Sequence, residues 1–257
     1  MSILEKFSLK NKVAIVTGSS TGLGQGVAIA LAQAGADVAG VDYVDQPETK
    51  AKVEALGRKY LSIKADLIAN ANPEFLKGLV ANVVKEFGKV DILVNNAGII
   101  RREDALNFSE KDWDDVMDIN IKTVFFLSQA VANQYVAQKS SGKIISIASM
   151  LAFQGGVRVP SYTASKSGVK GVTMLMANEW AKYGINANAI APGYMATNNT
   201  AQLRDDETRS GQILERIPAG RWGTPEDIAG AAVFLASEAS DYVNGFTLAV
   251  DGGWLAR

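Results

Sequence analysis

No cysteine and no histidine occur anywhere in the 257 residues. The first absence removes disulfides, thiol nucleophiles and zinc–thiolate sites. The second removes a Ser-His-Asp hydrolytic triad and every histidine-ligated metal, so no metal centre is expected. Proton transfer near neutral pH then falls to a carboxylate, a lysine or a tyrosine whose pKa has been moved. Charge is not in surplus either: 26 Lys and Arg stand against 27 Asp and Glu, for a formal net charge of -1. That balance gives no electrostatic reason to bind nucleic acid or an anionic membrane. Long apolar runs are also missing, because Gln33, Asp37 and similar residues interrupt each candidate before it reaches spanning length. The first ten residues are mixed in charge and lack the apolar core of a signal peptide, so a cytoplasmic location is the expectation.

What is present is an ordinary apolar content, 47% hydrophobic and 21% charged. That is enough for a sizeable core, and α/β chains of this length are commonly one domain. The stretch from Val13 to Gly26 organises the rest. A short apolar run reads as a buried strand, glycines follow at Gly18, Gly22 and Gly24, and a helical pattern starts at Val27, Ala30, Leu31 and Ala34. A strand turning sharply into a helix aims free N–H groups and the positive helix end at one point. Glycine lets the main chain come close to a pyrophosphate there. The loop, with Ser20, Thr21 and Leu23 between its glycines, is therefore a candidate dinucleotide cradle of G-x-x-x-G-x-G spacing.

Further strands read at 37–43, 60–65, 90–94, 143–148, 185–191 and 246–250, with helical patterns between them. The alternation predicts an α/β fold: a single-domain, doubly wound (Rossmann-like) parallel sheet with helices on both faces. The cofactor half runs to about residue 148, and the catalytic and substrate half follows from 149. Asn72-Pro73, Ser109 and Thr224-Pro225-Glu226-Asp227 read as helix starts. The polar segment from Tyr194 to about Ser210 reads as a mobile lid. Right-handed crossovers bring the carboxyl ends of all strands to one edge. Gly18–Gly24, Asp42, Asp66-Leu67, Asn95-Asn96-Ala97-Gly98, Ser149 and Pro192-Gly193 each follow a strand and gather there. Asp42, about twenty positions past the turn, is placed to accept from an adenine-ribose diol. No basic residue lies in the glycine loop or directly after Asp42, which favours NAD over NADP. Asp66 reads equally as an adenine-edge contact or a loop acid.

Tyr162 and Lys166 stand at i and i+4 on one helix face, thirteen positions past Ser149. A tyrosine serving as acid and base near pH 7 needs its pKa lowered by roughly 3 units, about 4 kcal/mol of preference for phenolate. A lysine ammonium and a cationic nicotinamide in a partly dry cleft can supply it. Asn120, inside an apolar helical pattern, calls for a specific partner.

Thr17-Gly18-x-x-x-Gly22-x-Gly24, Asn95-Asn96-Ala97-Gly98, Asn120, Ser149, Tyr162-x-x-x-Lys166 and Pro192-Gly193 resemble the motifs of the short-chain dehydrogenase/reductase family, in family order over essentially the whole chain. The resemblance implies Tyr162 as general acid/base and Ser149 as the group that positions and polarises a carbonyl. It implies that Lys166 binds the nicotinamide ribose and lowers the tyrosine pKa, and that Asn120 holds a water in the proton relay. It further implies that Thr197 meets the nicotinamide carboxamide, and that the protein is a homotetramer. Where many members have two serines, this chain has Ala148-Ser149.

Within the family, the segments 98–105, 149–160, 193–200 and 251–257 are similar to those of bacterial dehydrogenases of deoxy-keto hexonates. This implies a small sugar-acid substrate from pectin, alginate or other uronate breakdown. A hexonate carboxylate needs a cation, and arginine pairs with it best. Arg102 and Arg158 fall in loops on the active-site side, and each reads equally as a substrate partner or as a solvated or subunit contact. Gln154, Met195 and Trp254 are further wall candidates, Trp254 with reach toward a neighbouring subunit. An NADH-dependent reductase of 4-deoxy-L-erythro-5-hexoseulose uronate would share every motif. A 3-oxoacyl-carrier-protein reductase is disfavoured by Asp42, and a non-catalytic dinucleotide-binding regulator by the intact proton-transfer set.

Overall fold

A computed structural model describes residues 2–257. Seven strands form one parallel sheet: β1 (Val13–Thr17), β2 (Asp37–Asp42), β3 (Tyr60–Lys64), β4 (Ile92–Asn95), β5 (Gly142–Ile147), β6 (Ile185–Pro192) and β7 (Thr247–Val250). Their spatial order is β3-β2-β1-β4-β5-β6-β7. Every neighbouring pair is parallel, with Val13 level with Asp37 on one side of β1 and Ala14 level with Ile92 on the other. The order turns back between β1 and β4, and such a switch point opens a crevice beyond the carboxyl ends of those two strands.

All five residues of β1 are buried, as expected of a strand covered on both faces. Its alternate side chains feed two cores. Ala14 and Val16 meet Val27, Leu31, Val53, Ile228 and Leu235 from α1 (Gly22–Gln33), α2 (Pro47–Ala55) and α9 (Pro225–Ala236). Val13 and Ile15 meet Leu76, Val83, Leu127, Val131 and Met176 from α3 (Pro73–Phe87), α5 (Thr123–Ala137) and α6 (Pro160–Trp180). Val27 and Leu31 are wholly enclosed, each worth about 1.5–3 kcal/mol of burial, and together they anchor the helix that follows the glycine loop. Among the described residues, no helix is long and apolar enough to cross a membrane.

The helix starts follow from their caps. Asn72 Oδ1 accepts from Phe75 N at 3.0 Å, Ser109 Oγ accepts from Asp112 N at 3.1 Å, and Asp227 reaches back to Thr224 N at 2.8 Å. Two regions differ from the sequence reading. The helix begun at Ser109 runs on without a break but is not regular: α4 (Glu110–Met117) passes into α5 through a π-helical turn over Asp118–Lys122. The segment read as an irregular lid is largely helical, with a short turn at Asn198–Thr200, α7 (Ala201–Asp205) and α8 (Glu207–Arg216). Helix order there comes from tertiary packing, since Ile213 is buried against Met150, Ile217 and Trp254.

Candidate active site

A cavity of about 500 Å³ opens at the switch point, walled by the ends of β1, β2, β4, β5 and β6 and by the segment after β6. At one end the main chain turns through Gly18, whose φ of 66° suits glycine. A side chain there would press on Asn96 at 2.8 Å and on the Ala97 backbone at 2.9 Å, and one at Gly24 would overlap the Gly18 carbonyl. Thr21, at the head of α1, makes no side-chain capping bond, which leaves first-turn N–H groups of the helix for a ligand. Asp42 closes this end, with Oδ2 accepting from Ser20 N at 2.8 Å.

At the other end, Ser149, Tyr162 and Lys166 line the same cavity. Lys166 Nζ lies 5.6 Å from the centre of the Tyr162 ring and donates to Ile147 O at 2.6 Å. Burial lowers the Lys166 pKa to about 8. Burial pushes the Tyr162 phenol up, while the nearby Ser149 hydroxyl and the charge of Arg102 pull it back. Ser149 and Arg102 thus join the Lys166 ammonium among the polar and charged groups around this phenol.

Asn120 is wholly enclosed in the π turn. Its carboxamide accepts from Ile99 N at 2.9 Å and donates to Ile99 O at 3.0 Å and to Ser165 Oγ at 3.2 Å. It therefore clamps the cavity floor to the helix that carries Tyr162. A Cβ on Gly98 would stand 2.9 Å from Asn120 Oδ1 and 3.7 Å from Lys166 Nζ, so these three positions converge. A π turn inserted beside a reaction centre re-aims side chains that a regular helix would point elsewhere.

The remaining candidates divide. Ser20, Thr21, Gly22, Leu23, Asp66, Leu67, Ala97, Pro192, Gly193, Met195 and Thr197 line the cavity. Asp66 also accepts from Ile68 N and Ala69 N, at 2.9 and 3.1 Å, and so shapes its own turn. The Thr197 methyl sits 3.6 Å from where a Gly22 Cβ would lie, across the cavity mouth from α1. Asn95 points away from the cavity, into the protein, donating to Ser128 Oγ at 3.0 Å and Ser146 Oγ at 3.4 Å. Arg102 lies outside the lining and donates to Asn199 O at 3.1 Å. Arg158 pairs with Glu103 at 3.6 Å on the surface. Gln154 accepts from Arg216 at 3.4 Å. Trp254 is buried between Tyr194 at 4.8 Å and the Arg216 guanidinium at 4.0 Å.

The sequence reading passed over the job of Asn96 and Thr17. Asn96 Nδ2 donates to Thr17 O at 2.9 Å and Gly18 O at 3.1 Å, while Thr17 Oγ1 accepts from Asn96 N and Ala97 N at 3.0 and 2.9 Å. This double tie pins the glycine turn to the end of β4. The repeated asparagine after an apolar strand was the available signal.

A glycine cradle that side chains would fill, free helix amides, a carboxylate at one end and a phenol–ammonium pair at the other fit a nicotinamide dinucleotide. The comparisons agree. Residues 18–255 match a family model described as enoyl-(acyl carrier protein) reductase. The chain is 68% identical over 255 residues, 99% of its length and 100% of the relative, to 2-dehydro-3-deoxy-D-gluconate 5-dehydrogenase of Escherichia coli (strain K12). A crystal structure from Agrobacterium tumefaciens with bound NADP is similar at 54% identity and a TM-score of 0.90, covering 98% of this chain and 99% of that one. A gluconate 5-dehydrogenase from Burkholderia cenocepacia J2315, in complex with NADP and tartrate, is similar at 38% identity and a TM-score of 0.93, with 100% of both chains covered.

Proposed function

The chain belongs to the short-chain dehydrogenase/reductase family, and on that premise we propose that it is an NAD(H)-dependent 2-dehydro-3-deoxy-D-gluconate 5-dehydrogenase. It is an oxidoreductase that uses a nicotinamide dinucleotide, which when bound supplies or receives the hydride. The observation that carries the chemistry is the half-buried Tyr162 phenol beside Ser149 and Lys166, at one end of a cavity whose other end is the glycine cradle. The substrate rests on the 68% identity over the full chain.

Tyr162 Oη gives its proton to the carbonyl oxygen in reduction and takes it from the hydroxyl in oxidation. Ser149 Oγ orients that oxygen and stabilises phenolate. The Lys166 ammonium binds the ribose on the nicotinamide side. Because the Asn120 carboxamide is already engaged, its part in a proton relay falls to the main chain of the π turn. Arg102 attracts the substrate carboxylate, and its field at Tyr162 favours the same place. Gln154, Arg158 and Trp254 serve as supports of the substrate wall, Met195 as part of the wall itself. Residues up to about 148 carry the dinucleotide, and those from 149 carry the reaction and substrate, in one domain that assembles as a homotetramer in the cytoplasm.

NAD is the cofactor in this reading, although the solved relatives named above hold NADP. A 2′-phosphate would meet the Asp42 carboxylate, and the one cation lining the cavity among the described residues, Lys166, stands at the opposite end. A steady-state panel of deoxy-keto hexonates, gluconates and the unsaturated-uronate keto acid, run with NADH and NADPH, tests the whole reading. Highest kcat/KM on the deoxy-keto hexonate with NADH is expected. Preference for the uronate keto acid or for an acyl-carrier thioester would overturn the substrate, and preference for NADPH the cofactor.

A further inference from the structure

Behind the glycine loop, outside the cavity, lies a polar cluster that the reaction does not use. Gln46, Ser19, Thr49 and Tyr60 are all buried, from three separate stretches of chain. Gln46 Oε1 accepts from Ser19 Oγ at 2.8 Å and from the Tyr60 hydroxyl, which also reaches Ser19 Oγ at 3.3 Å. Gln46 Nε2 donates to Gly40 O and Ile63 O, both at 3.3 Å. Thr49 Oγ1 donates to Ser19 O at 2.8 Å, and Gln25 Nε2 donates to Ser20 O and Thr49 Oγ1, both at 3.0 Å. Space for the cluster comes from Gly40: a Cβ there would overlap both the Tyr60 hydroxyl and Gln46 Oε1.

The cluster holds both carbonyls of Ser19-Ser20, and the next amide, Ser20 N, is the one that fixes Asp42 at 2.8 Å. It also grips β2 two residues before Asp42, through Gly40 O, and the adjacent β3 through Ile63 O. The loop and the carboxylate are thereby set at one separation by groups that line no part of the cavity. Burial raises the Tyr60 pKa to about 12, with the Asp42 charge acting in the same direction, so the phenol remains a donor over the working pH range. A fully satisfied buried network holds one geometry, and losing one member frees the others.

We propose that Tyr60, Gln46 and Ser19 are positioning residues for the adenosine ribose, and that through Asp42 they set the choice between a free 2′-hydroxyl and a 2′-phosphate. This rests on the reading of Asp42 given above. The mechanism is indirect: accepting from a ribose hydroxyl and rejecting a phosphate both depend on where the carboxylate stands relative to the loop amides.

The test is Tyr60→Phe, with Ser19→Ala as the second variant should the first fail to fold. Direct binding of NAD and NADP is measured by calorimetry, together with kcat, the KM for the hexonate and thermal stability. The expected result is a fall in the NAD/NADP affinity ratio of about 5-fold, the effect of one lost buried hydrogen bond. kcat at saturating NAD and the hexonate KM stay within about 2-fold. A lowered melting temperature with an unchanged ratio would show a merely structural cluster and overturn the proposal. Asp42→Ala separates this from the premise. If that variant leaves the ratio unchanged, the ribose reading falls and the proposal with it. If it moves the ratio, Tyr60→Phe added to it should produce no further shift, and independent, multiplying effects would overturn the proposal alone.

Discussion

The two walls of the cavity are built in opposite ways. On the glycine-loop side the contacts are main-chain or buried: Thr17, Gly18 and Asn96 tie two strand ends together, and Ser20 N holds Asp42. On the substrate side, above the buried packing of Ile213 on Met150 and Trp254, several are exposed and made by long side chains: Arg102 to Asn199 O at 3.1 Å, Arg204 to Thr197 O at 3.2 Å, and Arg158 to Glu103 at 3.6 Å. Exposed pairs of this kind each contribute at most about 1 kcal/mol, so the outer rim of the second wall can rearrange at little cost. A buried network cannot. The contrast fits the two ligands: a dinucleotide against a rigid cradle, a small sugar acid against a face with an adjustable rim.

The contrast can be broken at its hinge, where both walls meet Tyr162. Tyr162→Phe removes the proton carrier and should lower kcat by about 10²–10⁴-fold with dinucleotide affinity unchanged, as read by single-turnover kinetics and calorimetry. Activity near wild type would take Tyr162 out of the mechanism.

On the rigid wall, Gly24→Ala should weaken dinucleotide binding by about 100-fold, because the Gly18 carbonyl has no room to retreat. A loss under about 3-fold would mean that this wall adapts after all, and the contrast would fail.

On the adjustable wall, Arg102→Gln should raise KM for an acidic substrate by about 10-fold and leave a neutral sugar alcohol nearly unaffected. Removing that cation also withdraws an influence that favours phenolate. The alkaline-rising limb of the oxidation rate should therefore move to higher pH. Equal effects on charged and neutral substrates would remove Arg102 from carboxylate recognition.

The smallest expected effect concerns stability. Burial lowers Lys166 from the ordinary 10.5 to about 8. Between those pH values the unfolded chain binds the extra proton, so stability rises with pH across that window, and below pH 8 the cost of enclosing the ammonium is present in full. Lys166→Met should accordingly stabilise the dinucleotide-free protein by about 1–3 kcal/mol at pH 6–7 in urea titrations, while abolishing turnover. The gain should shrink above pH 8. A variant less stable than wild type at pH 6–7 would show that the bond to Ile147 O outweighs the burial cost.

Local chemistry made much of this legible. Glycines after an apolar strand, proline and capping residues at helix starts, and an i,i+4 Tyr-Lys pair are each decided by neighbours in the chain. The same cannot be said of Asn95 and Asn96. Successive residues at a strand end face opposite ways, so one of the pair enters the core and the other reaches the loop, and pairing register settles which. The lid-forming stretch looked irregular because its helices are ordered by Ile213 packing on Met150, Ile217 and Trp254, from elsewhere in the chain. The π turn at Asn120 likewise answers to Ile99 and Ser165 and to no pattern inside its own helix.

The sequence by itself determined the doubly wound sheet, the glycine turn after its first strand and the i,i+4 placement of Tyr162 and Lys166, because backbone sterics, capping and apolar period act over a few residues. Only the tertiary structure decided which side chains face the cavity, what moves the Tyr162 pKa and how Asp42 is held. Those depend on burial and on partners brought together from Ser19, Gln46 and Tyr60 or from Arg102 and Asn199. No local rule reaches across such separations; the packed core does.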